Sequence, residues 1–381
     1  MSSPASSSAC DLSIVIVSWN VADLLVACLA SIARGTRPHP TNTQWRILDE
    51  TTAAQSTRPP APPDPEAPAV EIPAVEIPAV EIIVVEVIVV DNASHDDSVA
   101  RVEAVHPWVK VIQAGANLGF TAGNNLGYAH SQGEFVYFLN PDTEILADLR
   151  HGNSLAILLD VIARAPDVGM VGPQLRYADN TRQNSRRRFP TRWTGFFEST
   201  WLGAALPANP WARRLHMDDW PTDFIHDVDW LVGAAMLARR TALEMVRLPG
   251  TVGPFDEGFF MYSEEVDLCR RIKQAGWRIL YVPAARVVHY EGRSSEQVVA
   301  ARHIHFNTSK VRYYRKYFGP RWAGILRRYL LLEYGWQIWL ERAKRLLGSR
   351  RAMRAARIAA YQEVRATRLL PATDSPSPRS R

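Results

Sequence analysis

Short β-branched runs that each stop on a small polar or acidic residue dominate the first half of this chain. "LSIVIVSWN" ends in Ser18-Trp19-Asn20, "VEVIVVDNAS" in Asp91-Asn92, and "EFVYFLNPDTE" in Asn140-Pro141-Asp142. Helical spacing separates them. After the first run Val21, Leu24, Leu25, Cys28, Leu29 and Ile32 recur at a 3.6-residue period, and Gly35 is a C-terminal stop. The same reading gives a strand at about 86–91, a helix at 97–106, a strand at 109–114 and a helix at 120–131. A strand at 134–142 and a helix-then-strand at 155–175 follow. Strands alternating with helices predict a mostly parallel α/β sheet covered on both faces. In such sheets ligands lie at the carboxyl ends of the strands. The residues just past each strand are therefore the functional candidates.

One stretch breaks the alternation. Residues 36–67 are rich in Pro, Thr and Ala, and Pro-Ala-Val-Glu-Ile then occurs three times, at 68–72, 73–77 and 78–82. A period of five matches neither strand nor helix, and proline every fifth residue excludes a helix and interrupts a sheet ladder. Three such short units make no solenoid. Residues 36–80 thus read as an extended or unstructured insertion, expanded by duplication of the lead-in to the strand that ends at Asp91.

Composition is that of a globular protein: 381 residues, 47% hydrophobic and 22% charged. The net charge of +5 is local, because Arg and Lys crowd residues 301–366. Cys10, Cys28 and Cys269 have neither metal-ligand nor disulfide spacing, which favours a reducing compartment. The polar start "MSSPASSSACDLS" has no signal-peptide pattern, and no run is long and apolar enough to span a bilayer.

Each strand end has its own chemistry. A carboxylate at Asp91 can accept from a base N–H or a ribose hydroxyl; as a helix N-cap it competes with Ser94, Asp96 and Asp97, which lie nearer. "GANLGFTAGNNLG" spaces glycines at 115, 119, 123 and 127, either for close ligand approach or for tight helix packing; it is neither a dinucleotide fingerprint nor a P-loop. Asp142 suits a hard cation beside phosphates, or a turn cap after Pro141. In "FFMYSEEVDLCRRI" the acids Glu264, Glu265 and Asp267 open a helix, where its dipole favours them. Three carboxylates in four residues repel one another, however, and such crowding raises a pKa towards that of a general base. His289 ends the strand-like "RVVH" and is either structural or a metal ligand.

In this order, "SIVIVSWN", "VIVVDNASHDDS", "NLGFTAGNNLG", "FLNPDTE", "DWLVGAAMLARR", "FDEGFFMYSEEVDLCRRIKQAGWRILYVP" and "VVHYEGRSS" resemble the family 2 glycosyltransferases of the GT-A fold, in particular the bacterial rhamnosyltransferase-like branch. The likeness covers about 12–32 and 86–320. It implies a nucleotide-sugar-binding sheet with an acceptor-binding half. Asp91, with Ser18 and Asn20, is then the nucleoside contact, and Asn117, Gly119 and Asn124 line the nucleotide-sugar. Asn140 and Asp142 hold the first and last positions of the Asp-x-Asp motif. Asp142 and His289 are the implied ligands of a divalent metal, Mg²⁺ or Mn²⁺. Glu265 stands where the family has the aspartate base, with Glu264 and Asp267 as rivals. Trp230 and Gly233 lie on the acceptor side. The implied activity is inverting transfer of a sugar, rhamnose for this branch, to a lipid-linked or polysaccharide acceptor in cell-envelope synthesis.

The resulting organisation is a tail at 1–11, a GT-A domain at 12–300 with the insertion at 36–80, a basic amphipathic helical extension at 301–366, and a tail at 367–381. Trp322, Trp336 and Trp339 among Leu and Arg in the extension suit an interfacial helix, while Arg327, Arg328 and Glu333 oppose spanning. A helix packed on the catalytic domain with a solvated basic face is the alternative. The implied location is cytoplasmic and peripheral on the cytoplasmic membrane face, with no nucleic-acid partner. A nucleotidyltransferase would need basic residues for a triphosphate near the first strand, where only Arg34 is close. A catalytically weak sugar-nucleotide-binding protein is the other alternative, kept open by Glu265 in place of aspartate.

Overall fold

The computed structural model describes residues 10–38, 45–47, 84–148, 152–291, 299–346, 348 and 350–370. The Pro-Ala-Val-Glu-Ile units and most of both predicted tails lie outside these. The chain starts with β1 (Leu12–Ser18) and α1 (Ala22–Arg34), then β2 (Thr36–Pro38), β3 (Trp45–Ile47) and β4 (Val85–Asp91). Next come α2 (Ser98–Val105), β5 (Lys110–Gln113), α3 (Gly119–Ala129), β6 (Phe135–Leu139) and β7 (Thr143–Ile145). The minor pair β8 (Ala147–Asp148) and β9 (Gly152–Asn153) leads into α4 (Ser154–Arg164) and β10 (Val168–Arg176).

A second half then begins with β11 (Arg182–Gln183) and β12 (Arg186–Arg187), followed by the short helices α5 (Thr194–Phe197), α6 (Trp201–Ala205) and α7 (Pro210–His216). After β13 (His226–Asp227), β14 (Trp230–Leu231), β15 (Ala235–Arg239) and α8 (Arg240–Met245) come α9 (Glu264–Gln274) and β16 (Arg278–His289). Three helices end the described chain: α10 (Val299–Phe318), α11 (Pro320–Leu346) and α12 (Arg351–Ala366).

The sheet runs β13-β16-β10-β15-β6-β1-β4-β3-β2, with β5 also on β4. Its two longest pairings, β1 with β4 and β10 with β16, are parallel. β15 is antiparallel to both β6 and β10. It is entered from β14, which pairs with β12 in a separate two-stranded sheet, so no βαβ crossover sets its direction. At the edge, Thr36–Pro38 and Trp45–Ile47 pair antiparallel, and Trp45 pairs with Val85. The start of the expected insertion therefore extends the sheet.

Both faces of β1 are covered, as the unbroken apolar run requires. Ile14 and Ile16 join a core with Leu25 and Leu29 of α1 and Leu158 and Ile162 of α4. Val15 joins the opposite core with Phe138, Phe255, Ile272 of α9 and Tyr314 of α10. The glycines of α3 let that helix lie almost on the strands. A Cβ at Gly127 would stand 2.4 Å from Val15 Cγ1, and one at Gly123 2.8 Å from Val17 Cγ1. Helix packing is thus the use of most of the Gly-rich spacing.

The register sets the candidate site. Ser18 pairs with Asp91, and Ile16 with Leu139, so β1, β4 and β6 deliver Ser18, Asp91 and Asn140 to one edge.

Candidate active site

Loop crosslinks fix the nucleoside-side edge. Asn20, at φ 53°, takes His95 N–H on its Oδ1 at 2.7 Å, and its own N–H goes to Ser94 Oγ at 3.0 Å. Asp96 accepts from Ala22 N, Ser98 N and Ser98 Oγ, so it rather than the N-cap residue Asp97 satisfies the first N–H of α2. Asp91 is buried and accepts only from Ser94 N among these donors, at 3.2 Å, which leaves acceptor capacity. Ser18 Oγ and Asn92 Oδ1 are buried without a hydrogen-bond partner among the described residues.

The α3 start is occupied by protein. Asn117 Oδ1 accepts from Gly119 N at 3.0 Å, and Phe260 O accepts from Phe120 N at 2.9 Å. Gly119 sits at φ +78°, and a Cβ there would be 2.5 Å from Phe260 O. Only glycine allows that approach. Asn124 is buried and returns its amide to Phe120 O at 2.8 Å. Asn117, Gly119 and Asn124 therefore shape the wall and dock the 260 loop on it.

Asp142 and His289 come together, as their positions on adjoining strand ends require. Thr143 pairs with His289, and Asp142 Oδ1 stands 3.5 Å from His289 Nε2, with both residues buried. Gln183 orients the ring. Its Nε2 donates to Glu291 Oε2 at 2.8 Å, so its Oε1 is the atom that takes His289 Nδ1–H, at 3.0 Å. In a neutral ring that arrangement turns the Nε2 lone pair towards a carboxylate oxygen. Two acceptors so placed repel unless a cation or a proton lies with them. Asn140 Oδ1, close by in the same turn, is also buried and unpartnered among the described residues. No group of three or more His, Cys, Asp or Glu side chains is set to hold a metal among the described residues. Asp142 and His289 thus make a partial set, of the kind that substrate oxygens complete.

The acid triplet divides by environment. Asp267 is fully buried and already paired with Arg271 Nε at 2.8 Å and Lys316 Nζ at 2.6 Å, and it accepts from Tyr317 OH. It is withdrawn as a base candidate, because both of its oxygens are engaged in the interior. Glu264 and Glu265 each keep one buried oxygen without a partner among the described residues. Burial, then the adjacent Glu265 and Asp267 charges, push the Glu264 carboxyl well above the usual carboxylate range. Burial, then the Glu198 charge, lift Glu265 to about 7, against which the Arg187 charge acts. Tyr262 and Ser263, immediately before them, both hold positive φ, at 68° and 65°. For non-glycine residues such geometry costs about 1–3 kcal/mol each and concentrates at functional sites.

A short path joins this pair to the metal-type pair. Gly233 packs on Glu265: a Cβ at Gly233 would stand 3.5 Å from Glu265 Cβ. The next residue's carbonyl, Ala234 O, accepts from Asn140 N at 2.9 Å. Trp230 is buried, donates to Arg188 O at 2.9 Å and lies under Arg187, so it supports the strand rather than facing open space. Sequence reasoning missed Gln183, Glu291 and Phe260. Each acts through a neighbour distant in sequence, and no local pattern marks them.

Residues 80–239 match the family described as "Glycosyl transferase family 2". The chain is also 36% identical over 233 residues to the N-acetylglucosaminyl-diphospho-decaprenol L-rhamnosyltransferase of Mycobacterium tuberculosis, covering 56% of this chain and 70% of that relative. The chain belongs to glycosyltransferase family 2. This glycosyltransferase is likewise 30% identical over 184 residues to Rhamnosyltransferase WbbL of Escherichia coli, covering 46% of this chain and 62% of that one. Among solved structures it is similar to the mannosyltransferase PcManGT of Pyrobaculum calidifontis in complex with GDP-Man and Mn²⁺, at 15% identity and a TM-score of 0.46, covering 95% of this chain and 88% of that one. Its sheet is mixed and mostly parallel at the centre, with flanking helices.

Proposed function

We propose that this glycosyltransferase moves rhamnose from a nucleotide diphosphate to a sugar carried on a polyprenyl diphosphate, with inversion. The observation that carries the chemistry is the Glu264–Glu265 pair, joined through Gly233 and Ala234 to Asn140, Asp142 and His289. The choice of sugar and acceptor is supported by the likeness to the mycobacterial rhamnosyltransferase.

Asp91, with Ser18, receives the nucleoside at the strand edge. Asn20 and Asn117 hold the loops that bound it, and Gly119 and Asn124 hold the wall. Asp142 and His289, with Asn140 beside them, would hold a divalent cation, Mg²⁺ or Mn²⁺. When bound it supplies positive charge against the leaving diphosphate. Glu265 takes the proton from the acceptor hydroxyl as that oxygen attacks the anomeric carbon from the face opposite the diphosphate. A pKa near neutrality matches that task. Glu264 stays protonated beside it, so that only one negative charge is buried there. Gly233 leaves room for the acceptor next to Glu265. The test is transfer of labelled rhamnose from dTDP-rhamnose to a short-chain prenyl-diphospho-GlcNAc. Turnover with other nucleotide sugars but none with dTDP-rhamnose would reject the donor assignment.

We further infer that α11 rests on an anionic membrane face. Ile325, Leu332, Trp336, Trp339 and Leu346 are exposed along one side, Trp336 and Trp339 stack at 4.8 Å, and Arg321, Arg328, Arg342 and Arg345 are exposed or half-buried with them. Such a face suits the headgroup boundary, where tryptophan and basic residues accumulate. No helix of the described residues is long and apolar enough to cross a membrane. A Leu332→Glu/Trp336→Glu variant that still sediments with anionic liposomes would reject this placement.

A further inference from the structure

Beyond the reacting groups, one cavity holds a charge without a counter-charge. It has a volume of about 230 Å³ and is lined by Arg182, Gln183, Arg186, Trp220, Thr222 and Tyr281 among others. Arg186 is only 4% exposed. Its guanidinium donates to Met217 O at 3.3 Å and Trp220 O at 2.9 Å and lies 5.8 Å from the centre of the Tyr281 ring. No carboxylate comes within ion-pair distance of it among the described residues; the acid on the cavity wall, Asp218, is exposed. A buried charge left unpaired is penalised by several kcal/mol. Carbonyls satisfy some donors of this arginine but do not neutralise it. Arg182, exposed at the mouth and bonded to Thr222, adds a second positive charge.

Location selects the anion. The donor edge is formed by β1, β4 and β6, whereas this cavity lies across the sheet against β11, β12 and β16. Gln183 is the shared wall, since its side chain also orients His289. Consecutive residues of a strand face opposite ways. Arg186 faces the cavity, while Arg187 lies over Trp230 and its charge acts on Glu265. The acceptor hydroxyl has to sit at Glu265, so a charge carried by the acceptor falls near β12. The volume is below the about 300–1,000 Å³ of whole-ligand pockets, which fits a headgroup better than a nucleotide-sugar. Trp220 also lines a neighbouring hollow of about 410 Å³ whose other walls are Arg188, Pro210, Arg213, Arg214, Met217 and Asp219, so positive charge continues beyond the cavity.

We propose that the Arg182–Arg186 cavity is an anion subsite that takes the diphosphate of a prenyl-linked acceptor. This rests on the acceptor class inferred above and adds its recognition element. The same chemistry would accept a free pyrophosphate, so the test separates the two. Farnesyl diphosphate, farnesol and inorganic pyrophosphate are titrated into the full chain without donor, with tryptophan fluorescence as the signal because Trp220 lines the cavity. Farnesyl diphosphate is expected to bind more tightly than pyrophosphate, and farnesol not to bind. Arg182→Glu and Arg186→Gln should each weaken farnesyl diphosphate by about 10- to 100-fold, the loss typical of a charged hydrogen bond. Should Arg186→Gln fail to fold, the exposed Arg182→Glu decides. Binding equal to that of farnesol, or unchanged in the folded variants, overturns the subsite. Pyrophosphate binding as tightly as farnesyl diphosphate overturns its assignment to the acceptor, as does complete competition by dTDP. No donor sugar is used, so a chain that binds farnesyl diphosphate here yet transfers no rhamnose refutes the donor reading alone.

Discussion

Replacing Glu265 by Gln should both stop transfer and strengthen the fold, and the size of the second effect follows from the titration. The carboxyl moves from 4.5 to about 7 on folding, chiefly through burial. A group whose pKa is raised by folding keeps its proton longer in the native state. Its contribution is therefore nil well below pH 4.5, grows more unfavourable through the window up to about pH 7, and is constant above. At 1.36 kcal/mol per unit, ionisation of Glu265 destabilises the native state by about 3 kcal/mol at pH 8.5 and about 1 kcal/mol at pH 5.5. Gln has the same shape and no charge. Glu265→Gln should thus gain about 2 kcal/mol more at pH 8.5 than at pH 5.5. Urea unfolding followed by tryptophan fluorescence at the two pH values measures the difference. Wild-type transfer should also rise roughly tenfold between pH 6 and pH 8 as the base ionises. A stability gain independent of pH, or wild-type turnover by the variant, would refute the assignment of both the environment and the role.

Three further outcomes follow from the packing and the paired groups. Gly127→Ala should lose about 1–3 kcal/mol, the usual effect of overpacking, because the new Cβ meets Val15 at 2.4 Å; the urea midpoint reads it. Asp267→Ala should lose about 3–5 kcal/mol by leaving the Arg271 charge in the interior without its carboxylate, while Lys316 keeps Asp256, and thermal unfolding should show this whether or not substrate is present. Gln183→Leu leaves the His289 ring without its acceptor and should weaken cation activation by about 10- to 100-fold, measured by titrating Mn²⁺ against transfer.

The parts legible in the sequence were those with a local cause. β-branched runs ending in Ser18, Asp91 and Asn140 announce both a parallel sheet and the shared edge of the candidate site, because strand ends in such a sheet share one side. Glu264 and Glu265 are legible for a similar reason, since adjacent acids in an otherwise apolar stretch must perturb each other. Asp267 could not be separated from them by spacing. Its partners Lys316 and Tyr317 lie on a helix about fifty residues away in sequence. The glycines of 115–127 allowed two readings until the strand beneath them was known. Nothing local distinguishes Arg186 from Arg187 and Arg188 beside it; contacts with Met217 and Trp220, about thirty residues on, bury it. The reversed β15 and the edge strands β2 and β3 depend on tertiary pairing, which no local period records.

The salt links of α10 have a consequence for how this enzyme could have been assembled or trimmed. Arg312 and Lys316 hold Asp256 at 3.0 and 2.8 Å, and Lys316 also holds Asp267. Tyr314 fills the core beneath. A chain cut at residue 298 would leave Asp256 buried without either of its cations and Asp267 with Arg271 alone, on the helix that carries Glu265. What reads as a basic appendage is a keystone: α10 ties these carboxylates down, and Leu326, Leu330 and Tyr334 of α11 and Val364 of α12 continue the same core.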